Sequence, residues 1–207
     1  GYYSKNNEIT RQMYTDVIAS YNKQLTQDFG ISINAGGSIM DTKYDLEGYG
    51  GNLLTVPNLF AFQNINQTQA TPVQTRFREQ TQSVFGSAQA SYRNMLFLDV
   101  TARNDWSSAL VNTTASSIFY PSVGLSGVLT DLFKIRSRVL SFAKLRASYS
   151  EVGNAPERFI SIATYPIIGG FPATTSYMPA TDLKPERTKS YEVGLNLRFL
   201  KNKINLD

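Results

Sequence analysis

The fold class of this chain is decided by the stretch Tyr191-Glu192-Val193-Gly194-Leu195-Asn196-Leu197-Arg198-Phe199. Its odd-numbered positions are all aliphatic or aromatic, and its even-numbered positions are Glu, Gly, Asn and Arg. Strict alternation of this kind predicts a β-strand with one apolar and one polar face. The length is close to the ~9–11 residues that a tilted strand needs to cross a bilayer.

The same alternation recurs along the chain. It is clear over Leu96–Arg103 and Lys144–Ser150. Weaker versions run over about Gln12–Leu25, Phe29–Met40, Arg78–Tyr92 and Ile118–Leu129. Helical periodicity is nearly absent, so the sequence predicts an all-β chain of about seven or eight antiparallel strands.

Short and long connections alternate between these strands. Tight turns are expected at Gln27-Asp28 and Arg93-Asn94, and a short one at Lys201–Lys203. The long loops are expected at about 41–77, 107–117 and 153–187. Short turns on one side and long loops on the other are typical of outer-membrane barrels, whose longer loops are extracellular. The basic stretch Lys134–Arg138 is interpreted as a further, fairly short turn and fits this alternation least well.

The composition narrows the function classes. The 207 residues contain no cysteine and no histidine, which excludes thiol chemistry and Ser-His or Cys-His catalytic pairs within this chain. No carboxylate pair stands out either, so no enzyme activity and no cofactor are predicted. The net charge of +4 comes from basic residues scattered singly, and nucleic acid is therefore not an expected partner. Asp41, Asp45 and Glu47 lack the spacing of an EF-hand loop, and no metal site is predicted.

Aromatic residues cluster near the expected strand ends. Such rings prefer the two membrane interfaces, where they form girdles. The expected outer set is Trp106, Phe119, Tyr120, Tyr149 and Tyr191, and the expected inner set is Tyr92, Phe133, Phe142 and Phe199.

Four stretches together carry a resemblance to a known family. They are Arg103-Asn104-Asp105-Trp106-Ser107-Ser108, Phe119-Tyr120-Pro121-Ser122-Val123-Gly124-Leu125-Ser126, Lys144-Leu145-Arg146-Ala147-Ser148-Tyr149-Ser150-Glu151-Val152-Gly153-Asn154 and Leu183-Lys184-Pro185-Glu186-Arg187-Thr188-Lys189-Ser190-Tyr191-Glu192-Val193-Gly194. In this order and spacing, over most of the chain after about Thr81, they resemble the SusC/RagA family of TonB-dependent outer-membrane transporters.

The resemblance implies a large plugged barrel of roughly 22 strands. Such a barrel would import oligosaccharides or peptides beneath a SusD-like surface lipoprotein and would draw energy from TonB. Residues 1–207 would then form part of the barrel wall, without the plug and the remaining strands, and would contact outer-membrane lipids. No catalytic residues are implied by the resemblance.

Two groups of residues are candidate sites. The first should face the lumen or the plug and comprises Asp99, Arg103, Lys144, Arg146, Glu192 and Arg198. These side chains could line the solute path or pair with one another across strands. The second lies in long loops, could contact a ligand or a lid, and comprises Phe60, Phe62, Phe171 and Tyr177. Loop aromatics could equally pack against each other.

Two other protein classes share parts of this pattern. A passive porin or adhesin barrel would show the same strand signals and differ only in lacking the four motifs. A soluble β-sandwich that binds carbohydrate would enclose its apolar positions in a core between two sheets. Finding a plug upstream, or measuring solubility without detergent, separates these alternatives.

Overall fold

The alternating sequence forms a long antiparallel sheet. The structure, a computed structural model, describes residues 1–174, 178–180 and 182–207. Eight strands form one sheet in the order β1-β2-β3-β4-β5-β6-β9-β10, and β7 and β8 form a separate hairpin. The elements are β1 (Tyr2–Gln24), β2 (Phe29–Asn52), β3 (Thr71–Tyr92), β4 (Leu96–Ser107), β5 (Ile118–Val128), α1 (Leu129–Leu132), β6 (Leu140–Asn154), β7 (Ile167–Ile168), β8 (Phe171–Pro172), β9 (Glu186–Phe199) and β10 (Ile204–Leu206). The expectation of an antiparallel all-β fold with about seven or eight wall strands is confirmed.

The register keeps apolar residues opposite apolar residues from strand to strand. Leu98 of β4 lies opposite Ala90 of β3 on one side and Leu125 of β5 on the other. Leu145 of β6 in turn lies opposite Leu195 of β9. A slip by one residue would move every side chain to the other face, so the hydrophobic pattern fixes the pairing.

The short turns follow from their residues. Arg93 and Asn94 both have positive φ, 51° and 54°, and the Met95 amide donates to the Tyr92 carbonyl at 2.9 Å. This is the geometry of a two-residue hairpin turn that matches the strand twist, and Asn adopts it readily. The Arg93 guanidinium also binds Asp28 in the β1–β2 turn, with Nη2 3.0 Å from Oδ2.

The chain divides into two compact units. Unit 1 comprises Gly1–Thr15 with Met40–Gln80, and unit 2 comprises Asp16–Ile39 with Thr81–Asp207. Among the described residues, the buried apolar side chains of unit 1 are limited to Ile65, and those of unit 2 are Leu110, Ile118, Val128 and Ala143. Burial on this scale cannot offset the conformational entropy of ordering a chain of this length, so the exposed apolar faces must gain contacts elsewhere.

Two connections differ from the sequence expectation. The loop expected over 41–77 is shorter, because β2 continues to Asn52 and β3 begins at Thr71. The alternation within 41–47 and 73–79 has mostly charged and aromatic residues in place of aliphatic ones, so these segments lack the apolar stripe that predicts a strand. The basic stretch after β5 lies in the connection 129–139, which includes α1. This connection is one residue longer than the 108–117 connection, so it is not a short turn.

The remaining long connection spans 155–185 and contains the β7–β8 hairpin. Its turn is Gly169-Gly170, where both residues have positive φ, a conformation that glycine adopts without a steric penalty. No helix in the described part of the chain is long and apolar enough to cross a membrane.

Candidate functional site

Unit 2 carries a broad apolar face on one side of its sheet. Pairing places these side chains next to each other across five strands. They include Val84, Leu98, Val100, Val123, Leu125, Leu145, Val193 and Leu195, each 42–77% exposed. An exposed apolar surface of this extent marks a contact with a membrane or a partner.

Aromatic side chains border this face. Tyr149 and Tyr191 lie opposite each other on β6 and β9, with ring centroids 4.9 Å apart. Trp106 lies ten residues beyond Leu96 on the same parity of β4, a length of about 34 Å along the strand. A tilt of ~35–45° reduces this to about 24–28 Å, close to the apolar band of an outer-membrane barrel.

Two of the expected girdle residues lie on the other face. Tyr120 is opposite Arg103, and Phe142 is opposite Arg198, so both rings belong to the polar side of the sheet. The expectation that they join the apolar girdles is wrong. The alternation of β5 puts Phe119 rather than Tyr120 on the apolar side. Phe142 shares the even parity of Lys144 and Arg146 in β6, so it lies on the polar side with them.

The polar face of unit 2 brings the first candidate group together. Asp99 and Arg103 share the odd parity of β4, Lys144 and Arg146 the even parity of β6, and Glu192 and Arg198 the even parity of β9. Register confirms the shared side. Asp99 is opposite Gly124, Gly124 is opposite Ser148, and Ser148 is opposite Glu192.

Several of these charged groups are paired with polar neighbours. The Gln89 amide donates to Asp99 at 2.6 Å, and Arg103 donates from Nε to Asp105 at 2.6 Å. The guanidinium of Arg103 also donates to the Ser83 hydroxyl at 2.9 Å. A hydrogen-bonded network of this kind holds the side chains in fixed positions.

The pair Arg146–Glu192 depends on a glycine. Arg146 lies opposite Gly194, and its Nη2 is 3.4 Å from Glu192 Oε1. A Cβ at position 194 would be 2.3 Å from the Nε of Arg146, so the arginine side chain lies directly across this glycine. The missing side chain therefore lets the arginine lie flat on the sheet and reach its carboxylate.

The other cations lie over aromatic rings. Lys144 Nζ is 5.4 Å from the Phe97 ring centre, and the Arg198 guanidinium is 4.9 Å from that of Phe142. Both distances are within the range of cation–π attraction. The ring partners of the polar face were not identified from the sequence, because an apolar residue on a polar parity resembles an interruption of the pattern.

Unit 1 contains a cross-strand ladder of ion pairs. Arg76 donates from Nε to both carboxylate oxygens of Asp45 at 3.1 Å and also contacts Glu47. Arg78 donates from Nε to Asp41 at 2.7 Å. These hydrogen bonds raise the pKa of both arginines. The three carboxylates therefore serve as partners for β3 arginines, which explains their spacing of two and four residues on one strand.

A cavity of about 380 Å³ lies beside this ladder in unit 1. It is lined by Ile9 and Arg11 of β1, by Tyr44 of β2 and by Phe77 of β3, among others. The Tyr44 and Phe77 rings are stacked, 4.6 Å apart and 14° from parallel. The residues that line this cavity were not predicted from the sequence. The pattern that could have indicated them is the alternation of charged and other residues in 41–47 and 73–79.

The connection 53–70 is organised by one buried amide. Asn64 donates from Nδ2 to the carbonyls of Val56 and Leu59 at 2.7 and 2.9 Å. Its Oδ1 accepts from the Val56 amide at 3.3 Å. One side chain thus replaces the strand partners that these backbone groups lack.

The loop aromatics lie in different surroundings. Phe62 meets Tyr49 edge to face at 4.7 Å, and Phe60 lies 6.2 Å from Tyr3, so both belong to one cluster of unit 1 while remaining about half exposed. Phe171 begins β8 and is 77% exposed. Tyr177 lies outside the residues that the structure describes.

Comparisons with known proteins agree with this geometry. The family described as TonB dependent receptor-like, beta-barrel matches residues 1–207. Among solved structures, the RagAB peptide transporter is similar over 98% of this chain, with a TM-score of 0.80 and 18% identity. The RagAB peptide importer in its open-open state has a TM-score of 0.81 at 18% identity, and in its closed-closed state 0.78 at 19%. A search of the curated proteins found no match.

The chain spans 23% of the length of these solved chains, so it corresponds to a part of such a barrel. The exposed apolar face of unit 2 is in keeping with a segment of an outer-membrane barrel wall. The resemblance to SusC/RagA transporters is confirmed at the level of family and fold, and the chain belongs to the family of TonB-dependent receptor-like β-barrels of the outer membrane.

Proposed function

We propose that this chain is a wall segment of a TonB-dependent importer that carries oligosaccharides or peptides across the outer membrane. The observation that carries the proposal is the two-faced sheet of unit 2. One face presents exposed aliphatic side chains, and the other presents fixed charges and amides. A wall between lipid and a polar interior needs this division.

In this proposal the polar face contacts a plug domain. Arg103, Arg146 and Glu192 are held by neighbours within the sheet, and each keeps donors or acceptors for a further partner. A plug packed against them would be held by hydrogen bonds that can be exchanged for water when it moves. This differs from a passive pore, whose lumen charges would face water permanently.

The long connections would lie on the extracellular side and carry the choice of solute. The half-exposed rings of Phe60 and Phe62 offer flat apolar surface on a connection fixed by Asn64. Because the similar solved structures are named as peptide transporters, peptides are the first class to test, followed by oligosaccharides. The family resemblance adds a SusD-like lipoprotein as the partner on this side.

Energy coupling is tested by uptake. Cells that express the full-length protein are supplied with labelled peptides or oligosaccharides, with TonB present or deleted. We expect accumulation to depend on TonB and to stop when the proton gradient is dissipated. Accumulation that continues without TonB and follows only the outside concentration would identify a passive pore.

The orientation of the wall is tested separately by spin labels. The chain contains no cysteine, so Leu125→Cys and Ser126→Cys introduce neighbouring attachment points on opposite faces. Oxygen dissolved in lipid should relax a label at 125 strongly and one at 126 weakly. Equal relaxation at both positions would contradict the assignment of the apolar face to lipid.

A further inference from the structure

Two cations lie at the end of the membrane-facing surface where the Tyr149–Tyr191 pair marks its border. Lys189 of β9 is opposite Glu151 of β6, and Arg187 is opposite Gly153. Both pairs continue the row in which Tyr191 is opposite Tyr149 and Val193 is opposite Ala147. Arg187 and Lys189 therefore point to the lipid side of the wall and not to its polar face.

These cations share one carboxylate. Arg187 Nη1 is 3.5 Å and Lys189 Nζ is 3.7 Å from the oxygens of Glu151, which also accepts a hydrogen bond from the Tyr149 hydroxyl. That hydrogen bond, together with the two nearby positive charges, lowers the pKa of Glu151, which therefore stays ionised at neutral pH. The three groups together carry one net positive charge.

The cations keep binding capacity for a further anion. Both contacts with Glu151 are longer than a strong charge-assisted hydrogen bond. Half or more of each cationic side chain is exposed, while the Glu151 side chain is 14% exposed. A guanidinium has five N–H donors and an ammonium has three, so most of them point to the surroundings.

The backbone of Lys189 lies at the height of the headgroup layer, and that of Arg187 lies slightly beyond it, with its guanidinium directed to Glu151. Lys189 is two residues and Arg187 four residues beyond Tyr191, which at a strand tilt of ~45° is about 5 and 10 Å above the ring pair. The polar layer on each side of the ~30 Å hydrocarbon core is about 5–8 Å thick. Directly below, Val193 and Leu195 present exposed aliphatic surface against which acyl chains can lie.

We propose that Arg187 and Lys189 bind the phosphate of an anionic glycolipid in the outer leaflet. The phosphate would lie between the two cations, and the acyl chains would extend along Val193 and Leu195. The aliphatic surface below the cations favours a lipid over a free anion, because a soluble phosphate gains nothing from it. The proposal requires the membrane placement of the wall but is independent of import.

The test is lipid binding to the detergent-purified full-length protein, measured by native mass spectrometry with diphosphoryl lipid A as the probe. We expect R187Q/K189Q to weaken binding about 10- to 30-fold, since each cation near a membrane surface contributes about fivefold. The matched control is K201Q/K203Q, which removes two cations from the β9–β10 turn and should leave the affinity unchanged.

A substitution of Glu151 is expected to change the affinity for lipid A in the opposite direction. E151Q removes the competing carboxylate, so lipid A should bind about fivefold more tightly. A purely structural role for the cluster would instead make E151Q weaken binding or leave it unaltered. Thermal unfolding of each variant shows whether the barrel is intact.

Other outcomes overturn the proposal. Equal loss in R187Q/K189Q and in K201Q/K203Q would show that overall charge, and not this site, attracts the lipid. Equal binding of phosphatidylglycerol, or displacement of lipid A by inorganic phosphate at similar concentrations, would show a general phosphate site. Loss of solute uptake without loss of lipid binding would place the cations in the import function.

Discussion

Strands β2 and β3 carry two different surfaces along their lengths. In β3 the even-numbered positions from 74 to 80 in unit 1 are Gln or Arg, and in unit 2, after Gln82, they become Val84, Gly86, Ala88 and Ala90. In β2 the odd-numbered positions change in the same way, from Ile31 and Ile33 in unit 2 to Asp41 and Asp45 in unit 1.

The period of the pattern, which determines that a segment is a strand, is independent of the residue type on each face, which reflects the surroundings of the strand. Alternation with period two is present in both units, and both form strands. The residue type on this face differs, being aliphatic in unit 2 and charged in unit 1. This difference supports the proposed placement of unit 2 in the membrane, because aliphatic side chains are stable against lipid while charged ones at mid-membrane are costly. The stretch from Val84 to Tyr92 has nine residues, which is the length needed for one crossing.

The largest expected effect comes from placing a charge on the lipid side of unit 2. Val100→Arg should destabilise the full-length barrel by about 2–4 kcal/mol, because the guanidinium would lie near mid-membrane. Thr101→Arg, one residue away on the polar face, is the control and should lower the free energy of unfolding much less. Denaturant unfolding in lipid vesicles measures both, and equal losses would remove the distinction between the two faces.

A smaller effect is expected from the connection of unit 1. Asn64→Ala should cost about 1–3 kcal/mol locally, because it removes the hydrogen bonds that hold the Val56 and Leu59 backbone. Limited proteolysis of 53–70 should accelerate, while the folding of the barrel is unchanged. Gln63→Ala, at an exposed neighbouring position, is the control, and similar cleavage in both variants would contradict the role of Asn64.

The smallest effect is expected within the ion-pair ladder. Asp41→Asn should lower the thermal unfolding midpoint by about 1–2 °C, since Asp41 is nearly buried and binds Arg78. Glu47→Gln should change it less, because that side chain is half exposed. Differential scanning calorimetry at low salt is the measurement. A larger decrease in the unfolding midpoint for Glu47→Gln than for Asp41→Asn would show that the stabilisation by these pairs does not increase with burial.

Prediction from sequence succeeded where the alternating face was aliphatic. Period alone predicted the strand around Val193 and the apolar parity of β4, and it placed Asp99, Arg146 and Glu192 on polar parities that the register brings to one face. It was wrong for the ends of the 41–77 loop, where one parity carries charged or amide side chains and the other a mixture of Thr, aromatic and aliphatic ones. It was also wrong for Phe142, where nearness to the strand end was taken as the signal although its even parity, shared with Lys144 and Arg146, places it on the polar face.

The sequence by itself determined the strands, their two faces and the family, because these depend on period, residue type and motif order along one chain. Only the tertiary structure decided which carboxylate meets which arginine, that Arg146 lies across Gly194, and that Arg187 and Lys189 share Glu151 at the border of the apolar face. Such contacts join residues that are far apart in sequence, and strand register, which arises only on pairing, sets them at hydrogen-bonding distance.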